Sequence, residues 1–102
     1  MQQIIVLFNL RPGISASDYE AWAKRVDIPT VGRLKSIGSF SVLKSTSCLG
    51  SSAAPPFQYI EIIGIRDMTA FGTDIAGEQM QRVAAEFGRF ADAVFINTEP
   101  LA

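Results

Sequence analysis

The strongest strand signal in the chain is FQYIEIIGI, the segment from Phe57 to Ile65. Successive side chains of a strand point to opposite faces, so Tyr59 and Glu61 share one face while Ile60 and Ile62 share the other. Neither face is polar throughout. Strands that are apolar on both sides are typical of sheets that are covered on both sides. We therefore predict that this segment is an interior strand.

Glu61 is the only charged residue in that segment. Its side chain either lies at a rim and reaches water, or is held in an apolar cavity. In a cavity, desolvation would raise its pKa towards the range that suits a general acid or base. The sequence leaves both alternatives open.

Composition limits the classes of function. A chain of 102 residues predicts one domain, residues 1–102, with a single core. Nine basic and ten acidic residues are spread without blocks, so we expect no nucleic-acid partner. No apolar run approaches the roughly 18 residues of a membrane span, so no membrane partner is expected. The first residues lack the basic region of a signal peptide, which predicts a cytoplasmic protein.

The chain has no histidine and one cysteine, Cys48, which excludes an internal disulfide. Ser-His-Asp and Cys-His nucleophiles, HExxH zinc sites and two-histidine iron sites all need residues that it lacks. The glycines are scattered and form no phosphate-binding loop. We therefore expect neither a cofactor nor a metal, and we expect Cys48 to be a small buried or half-buried residue.

Periodicity predicts the order strand, helix, strand, strand, helix, strand. The expected bounds are residues 3–10, 16–26, 39–48, 57–65, 78–90 and 93–98. Pro29 is expected to end the first helix and to begin a short turn through Leu34, and another short helical turn is expected at residues 68–71. This order is that of the α+β, ferredoxin-like βαββαβ fold, a four-stranded antiparallel sheet with its helices on one face.

The other face of that sheet would be bare, yet three of its strands are apolar on both sides. An exposed apolar patch of that size is rare on a soluble monomer. The economical cover is a second copy of the same sheet, which predicts a homodimer in which two sheets form a barrel.

Four segments together resemble the REDY-like proteins over nearly the whole chain. They are FNLRPG at residues 8–13, DIPTV at 27–31, LGSSAAPPFQYIE at 49–61 and MQRVAAEFGRFAD at 80–92. The resemblance implies a dimeric α+β barrel and a small aromatic ligand from prodiginine or bisindole biosynthesis. Some members of that family are cyclases that need no cofactor, and others have been regarded as carriers of an intermediate.

Many proteins of the wider barrel group have a His-x-Pro-Leu segment at the end of the first helix. The same place here reads Asp27-Ile28-Pro29-Thr30, so the histidine role does not carry over. Asp27 is then either a carboxylate base, proton relay or hydrogen-bond acceptor, or a helix-ending aspartate bound to backbone amides.

A cavity between helices and sheet would bring several of these side chains together. The expected catalytic residues are Glu61, Asp27 and Tyr59. The expected substrate-binding residues are Asn9, Trp22, Phe87 and Phe90. Trp22 is either a core residue or a stacking wall for a flat ligand.

Four functions remain open at this stage. The first is cofactor-free cyclisation of an indole or pyrrole intermediate, in which a fixed conformation and one proton mover do most of the chemistry. The others are a non-catalytic carrier, a cofactor-free oxygenase in which the bound aromatic anion reacts with oxygen, and a purely structural dimer.

Overall fold

The structure is a computed structural model and describes residues 1–102. Four strands and four helices follow one another along the chain. They are β1 Gln2–Phe8, α1 Ala16–Trp22, α2 Ile28–Gly32, β2 Ile37–Lys44, β3 Tyr59–Ile65, α3 Met68–Ala76, α4 Glu78–Phe90 and β4 Val94–Thr98. None of the helices combines the length and the apolar character needed to cross a bilayer.

The strands form one sheet in the order β2-β3-β1-β4, and every neighbouring pair is antiparallel. The segment Phe57–Ile65, which was predicted to be an interior strand, contains β3. This strand lies in the interior of the sheet. Its residue Glu61 is paired with Val6 on β1 and with Val42 on β2. The predicted ferredoxin-like α+β fold is confirmed.

The first helical region does not end at Pro29, so that expectation was wrong. Between α1 and α2 the chain forms a π-helical segment, Ala23–Asp27, in which the Ile28 N–H donates to the Ala23 carbonyl five residues back. The wider turn lets the chain pass Pro29, which has no N–H to donate. Asp27 closes this segment and is buried.

Most of the other bounds agree with the prediction to within two residues, and two differ by more. The second strand ends at Lys44 instead of Cys48, and the expected turn at residues 68–71 is the nine-residue helix α3. The side chain of Asp67 accepts a hydrogen bond from the Ala70 N–H and so fixes the start of α3. The expected turn stopped before Gly72, but the helix continues through it because a single glycine only weakens a helix.

The packed core lies between α1, α2 and the helix-side face of the sheet. Phe8 contacts Tyr19 edge-on at a ring distance of 5.4 Å and stacks on Tyr59 at 5.4 Å. By contrast, α3 buries no residue and α4 buries only Val83. Helices α3 and α4 therefore cover the sheet without filling the space beneath them.

The other face of the sheet carries no helix. Cross-strand pairing sets Ile5 beside Ile62 and Ile96, and Leu7 beside Ile60 and Val94. Of these side chains, Val94 is 52% exposed and Ile96 is 41% exposed. We call this surface, Ile5, Leu7, Leu43, Ile60, Ile62, Val94 and Ile96, the uncovered face.

Candidate ligand-binding cavity

A cavity of about 740 Å³ lies between the sheet and helices α3 and α4. Every strand and every helix except α1 contributes to its lining, which is mostly hydrophobic. The apolar lining includes Ile4, Val31, Phe40, Ile63, Phe71, Met80, Val83, Phe87 and Phe95. A volume of this size is typical of a site for a small organic molecule.

Glu61 lies on the cavity-side face of β3 and is only 5% exposed. Its strand neighbours, Val6 and Val42, bring no polar group, and its Oε2 atom has no hydrogen-bond partner. Burial, and then the charge of Asp27, raise the pKa of Glu61 from 4.5 to about 8. Of the two alternatives for Glu61, the structure shows the buried one.

Asp27 reaches the same cavity from the π-helical segment and is also 5% exposed. Its side chain makes no capping hydrogen bond to α2, so the alternative of an aspartate bound to backbone amides was wrong. Burial raises the pKa of Asp27 from 3.8 to about 6.

Asp27 and Glu61 differ in proton affinity, so the pair can both donate and accept a proton. Near neutral pH the lower pKa of Asp27 leaves it mostly ionised, while the higher pKa of Glu61 keeps it mostly protonated. Two titratable groups whose pKa values are separated by their surroundings supply an acid and a base at one site. The cavity therefore holds a proton donor and a proton acceptor.

Tyr59 does not line this cavity, although it shares a strand face with Glu61. Its hydroxyl donates to Glu20 Oε2 at 2.7 Å, and the same oxygen accepts from Lys44 Nζ at 2.9 Å. Burial and this hydrogen bond raise the pKa of Tyr59 to about 12. The hydroxyl is therefore directed to α1 and away from the carboxyl pair.

Of the four expected substrate-binding residues, only Phe87 lines the cavity. Phe87 lies edge-on to Phe8 at a ring distance of 5.0 Å and also edge-on to Phe95 at 6.4 Å. Trp22 is a core residue whose Nε1 donates to Glu86 Oε1 at 2.6 Å, and its ring packs on Phe90 at 5.2 Å.

Asn9 lies at the end of β1, outside the cavity. Its Nδ2 atom donates to the Pro56 carbonyl at 3.0 Å, and its Oδ1 atom accepts from the Gln58 N–H at 2.9 Å. These two bonds tie β1 to the chain that enters β3. The role that the structure shows for Asn9 is to hold that loop in place.

Sequence reasoning missed several residues of the lining. Phe71 and Ile75 reach it from α3, one helical turn apart, and Phe95 and Asn97 reach it from alternate positions of β4. Both spacings are visible in the sequence once α3 is recognised as a full helix. Tyr19 was also missed: its buried hydroxyl has no partner, and burial with the charges of Glu61 and Asp27 raises its pKa.

Comparisons with known proteins agree with this fold. The family model of the REDY-like protein HapK matches residues 2–101. A sequence search among curated proteins gave no significant match. The crystal structure of HapK from Hahella chejuensis is similar, with a TM-score of 0.81, 28% identity and coverage of 100% of this chain and 94% of that chain.

Two more distant structures share the fold. At3g17210 from Arabidopsis thaliana has a TM-score of 0.81 at 17% identity, and the match covers 100% of this chain and 97% of that chain. SnoaB from Streptomyces nogalater, a cofactor-independent oxygenase, has a TM-score of 0.79 at 12% identity, with coverage of 99% and 93%.

Proposed function

Because the chain belongs to the REDY-like HapK family, we propose that it binds a small aromatic heterocycle of secondary metabolism and cyclises it without a cofactor. An indole or pyrrole intermediate is the ligand class that the family resemblance favours. The observation that carries the proposal is the pair Glu61 and Asp27 inside an apolar cavity of about 740 Å³.

The cavity supports both binding and orientation. The rings of Phe87 and Phe95, whose centroids are 6.4 Å apart, offer a flat ligand aromatic contacts worth about 0.5 to 1.5 kcal/mol each beyond burial. Fixing the reactive conformation of the ligand would itself lower the barrier by several kcal/mol.

The carboxyl pair supports one balanced sequence of proton transfers. Protonated Glu61 gives its proton to an imine nitrogen of the ligand, and an electron-rich ring carbon then forms a bond to the imine carbon. Ionised Asp27 removes the proton from that ring carbon, which restores aromaticity. The product is an isomer of the substrate, and a proton passed from Asp27 to Glu61 restores the pair.

The test is to incubate the purified protein with indole and bipyrrole imine intermediates and to follow the products by mass spectrometry. A cyclised isomer of unchanged mass supports the proposal. A product that has gained oxygen would point to an oxygenase, and tight binding of unchanged substrate would point to a carrier. Absence of binding by every candidate would overturn the proposed ligand class.

The proposal includes a homodimer formed through the uncovered face. Its support is the apolar character of Ile5, Leu7, Ile60 and Ile62 at the middle of a sheet face that no helix covers. A second copy of the same face is self-complementary and would remove these side chains from water.

The Ile62→Asp variant is expected to be monomeric. It places a carboxylate at the centre of each contributing face, and burying such an unpaired charge costs about 3 kcal/mol or more, which raises the dimer dissociation constant more than about a hundredfold. Sedimentation velocity measures the change. The exposed loop variant Ser47→Asp adds the same charge and should stay dimeric. A monomeric wild-type protein would contradict the dimer.

A further inference from the structure

We propose that the ligand of this cavity carries a basic nitrogen and binds as its protonated cation, held by Glu61 and Asp27. This inference rests on the proposed function, because it takes the cavity as the ligand site. It adds the charge of the ligand, which the family resemblance leaves open.

The charges of the cavity lining are unbalanced. Three carboxyl residues, Asp27, Glu61 and Asp92, stand against one cationic residue, Arg11. The Arg11 guanidinium already donates through Nε to the Gly88 carbonyl at 2.9 Å and through Nη2 to the Ala91 carbonyl at 3.4 Å. No lysine lines the cavity. Neither Asp27 nor Glu61 forms a salt bridge with Arg11 or with any other cationic side chain, and no positive charge contributes to their pKa shifts.

The protein itself leaves a hydrogen-bonding need of Glu61 unmet. Oε2 of Glu61 is buried without a partner, although the residue lines the cavity. The charge of Asp27 acts on Glu61, and the charges of both carboxyls act on Tyr19. None of these three groups supplies a positive charge. The paired strands contribute only Val6 and Val42 at this register. A protonated nitrogen would supply a donor and a compensating charge together.

Binding of a cation should also change the protonation of Glu61. Because the pKa of Glu61 is raised to about 8, most of the free protein carries a proton there at neutral pH. A probe that arrives as a cation favours the ionised carboxylate, so its binding should release up to about one proton per site. A neutral imine substrate instead takes the Glu61 proton and so becomes the bound cation, as in the proposed reaction. A neutral ligand of the same shape should release none.

The test compares two probes of nearly the same shape by calorimetry near pH 7. 2-Aminobenzimidazole is a cyclic guanidine base that accepts a proton readily and can bind as a cation, and 2-aminobenzoxazole stays neutral. On the wild-type protein we expect the cation to bind about tenfold more tightly or better. We also expect proton release, detected as a dependence of the heat on the buffer, for the cation alone.

Variants test whether Glu61 and Asp27 cause the preference for the cationic probe. The preference should shrink in Glu61→Gln and in Asp27→Asn and disappear in the double variant. It should persist in Glu78→Gln, which removes a carboxylate from an exposed position on α4 outside the cavity. Equal affinity of both probes for the wild-type protein, or tighter binding of the neutral probe, overturns the inference and leaves the proposed function standing. If neither probe nor indole binds, the proposed function fails and the inference fails with it.

Discussion

The Glu61→Gln variant is expected to form product about 10² to 10⁴ times more slowly than the wild-type protein. The amide keeps the shape of the side chain but has no acidic proton to give to the substrate. Glu61 is the group that can hold that proton at neutral pH, because burial and Asp27 raise its pKa to about 8. The rate is measured under single-turnover conditions, so that binding and chemistry are separated.

Two matched variants complete this experiment. Asp27→Asn removes the proton acceptor and should also slow turnover, whereas Glu78→Gln lies on the exposed side of α4 and should leave the rate unchanged. In the wild-type protein the rate should fall as pH drops below about 6, where Asp27 becomes protonated, and as pH rises above about 8, where Glu61 ionises. Unchanged turnover in Glu61→Gln would remove Glu61 as the proton donor.

The same variant is expected to gain stability relative to the wild-type protein as pH rises. The pKa of Glu61 is 4.5 in the unfolded chain and about 8 in the folded one. The folded protein therefore binds more protons than the unfolded chain between these values, and its stability falls with rising pH across that window. Glutamine does not titrate, so the difference in unfolding free energy should move in favour of the variant by about 3 to 5 kcal/mol between about pH 4.5 and pH 9.

Urea unfolding of both proteins at a series of pH values measures this difference. The protein concentration is held fixed, because a dimer gains stability by association. At low pH both side chains are neutral, which makes that end of the series the internal reference. A constant difference between the two proteins from acid to alkaline pH would show that Glu61 is not buried in the apolar surroundings described above.

Much of the fold was readable because its signals are local. Alternation along Phe57–Ile65, the stripe of α4 and the order of the elements are each set by residues close together in the chain. The same alternation placed Glu61 on a definite strand face. The bare second face followed from the order of the elements, and its apolar character followed from strands that are apolar on both sides.

The composition of the cavity depended on distances that a sequence pattern does not contain. Tyr59 and Glu61 share a strand face, but they lie about 6.6 Å apart along the strand, and α1 meets Tyr59 while the cavity meets Glu61. Alternation along a strand shows which face of the sheet a side chain lies on. It does not show which helix or cavity the side chain contacts there. The π-helical segment Ala23–Asp27 was also not predicted from the sequence. Pro29 was expected to end the helix, whereas in the structure the helix continues past it after a wider turn.

The most direct measurement is an NMR titration of methyl-labelled protein with indole. We expect the methyl signals of Ile63 and Val83, which line the cavity, to shift with added indole. The signals of Ile5 and Ile62, on the uncovered face, are expected to stay where they are. Shifts confined to the uncovered face, or no shift at any methyl group, would contradict a ligand site between the helices and the sheet.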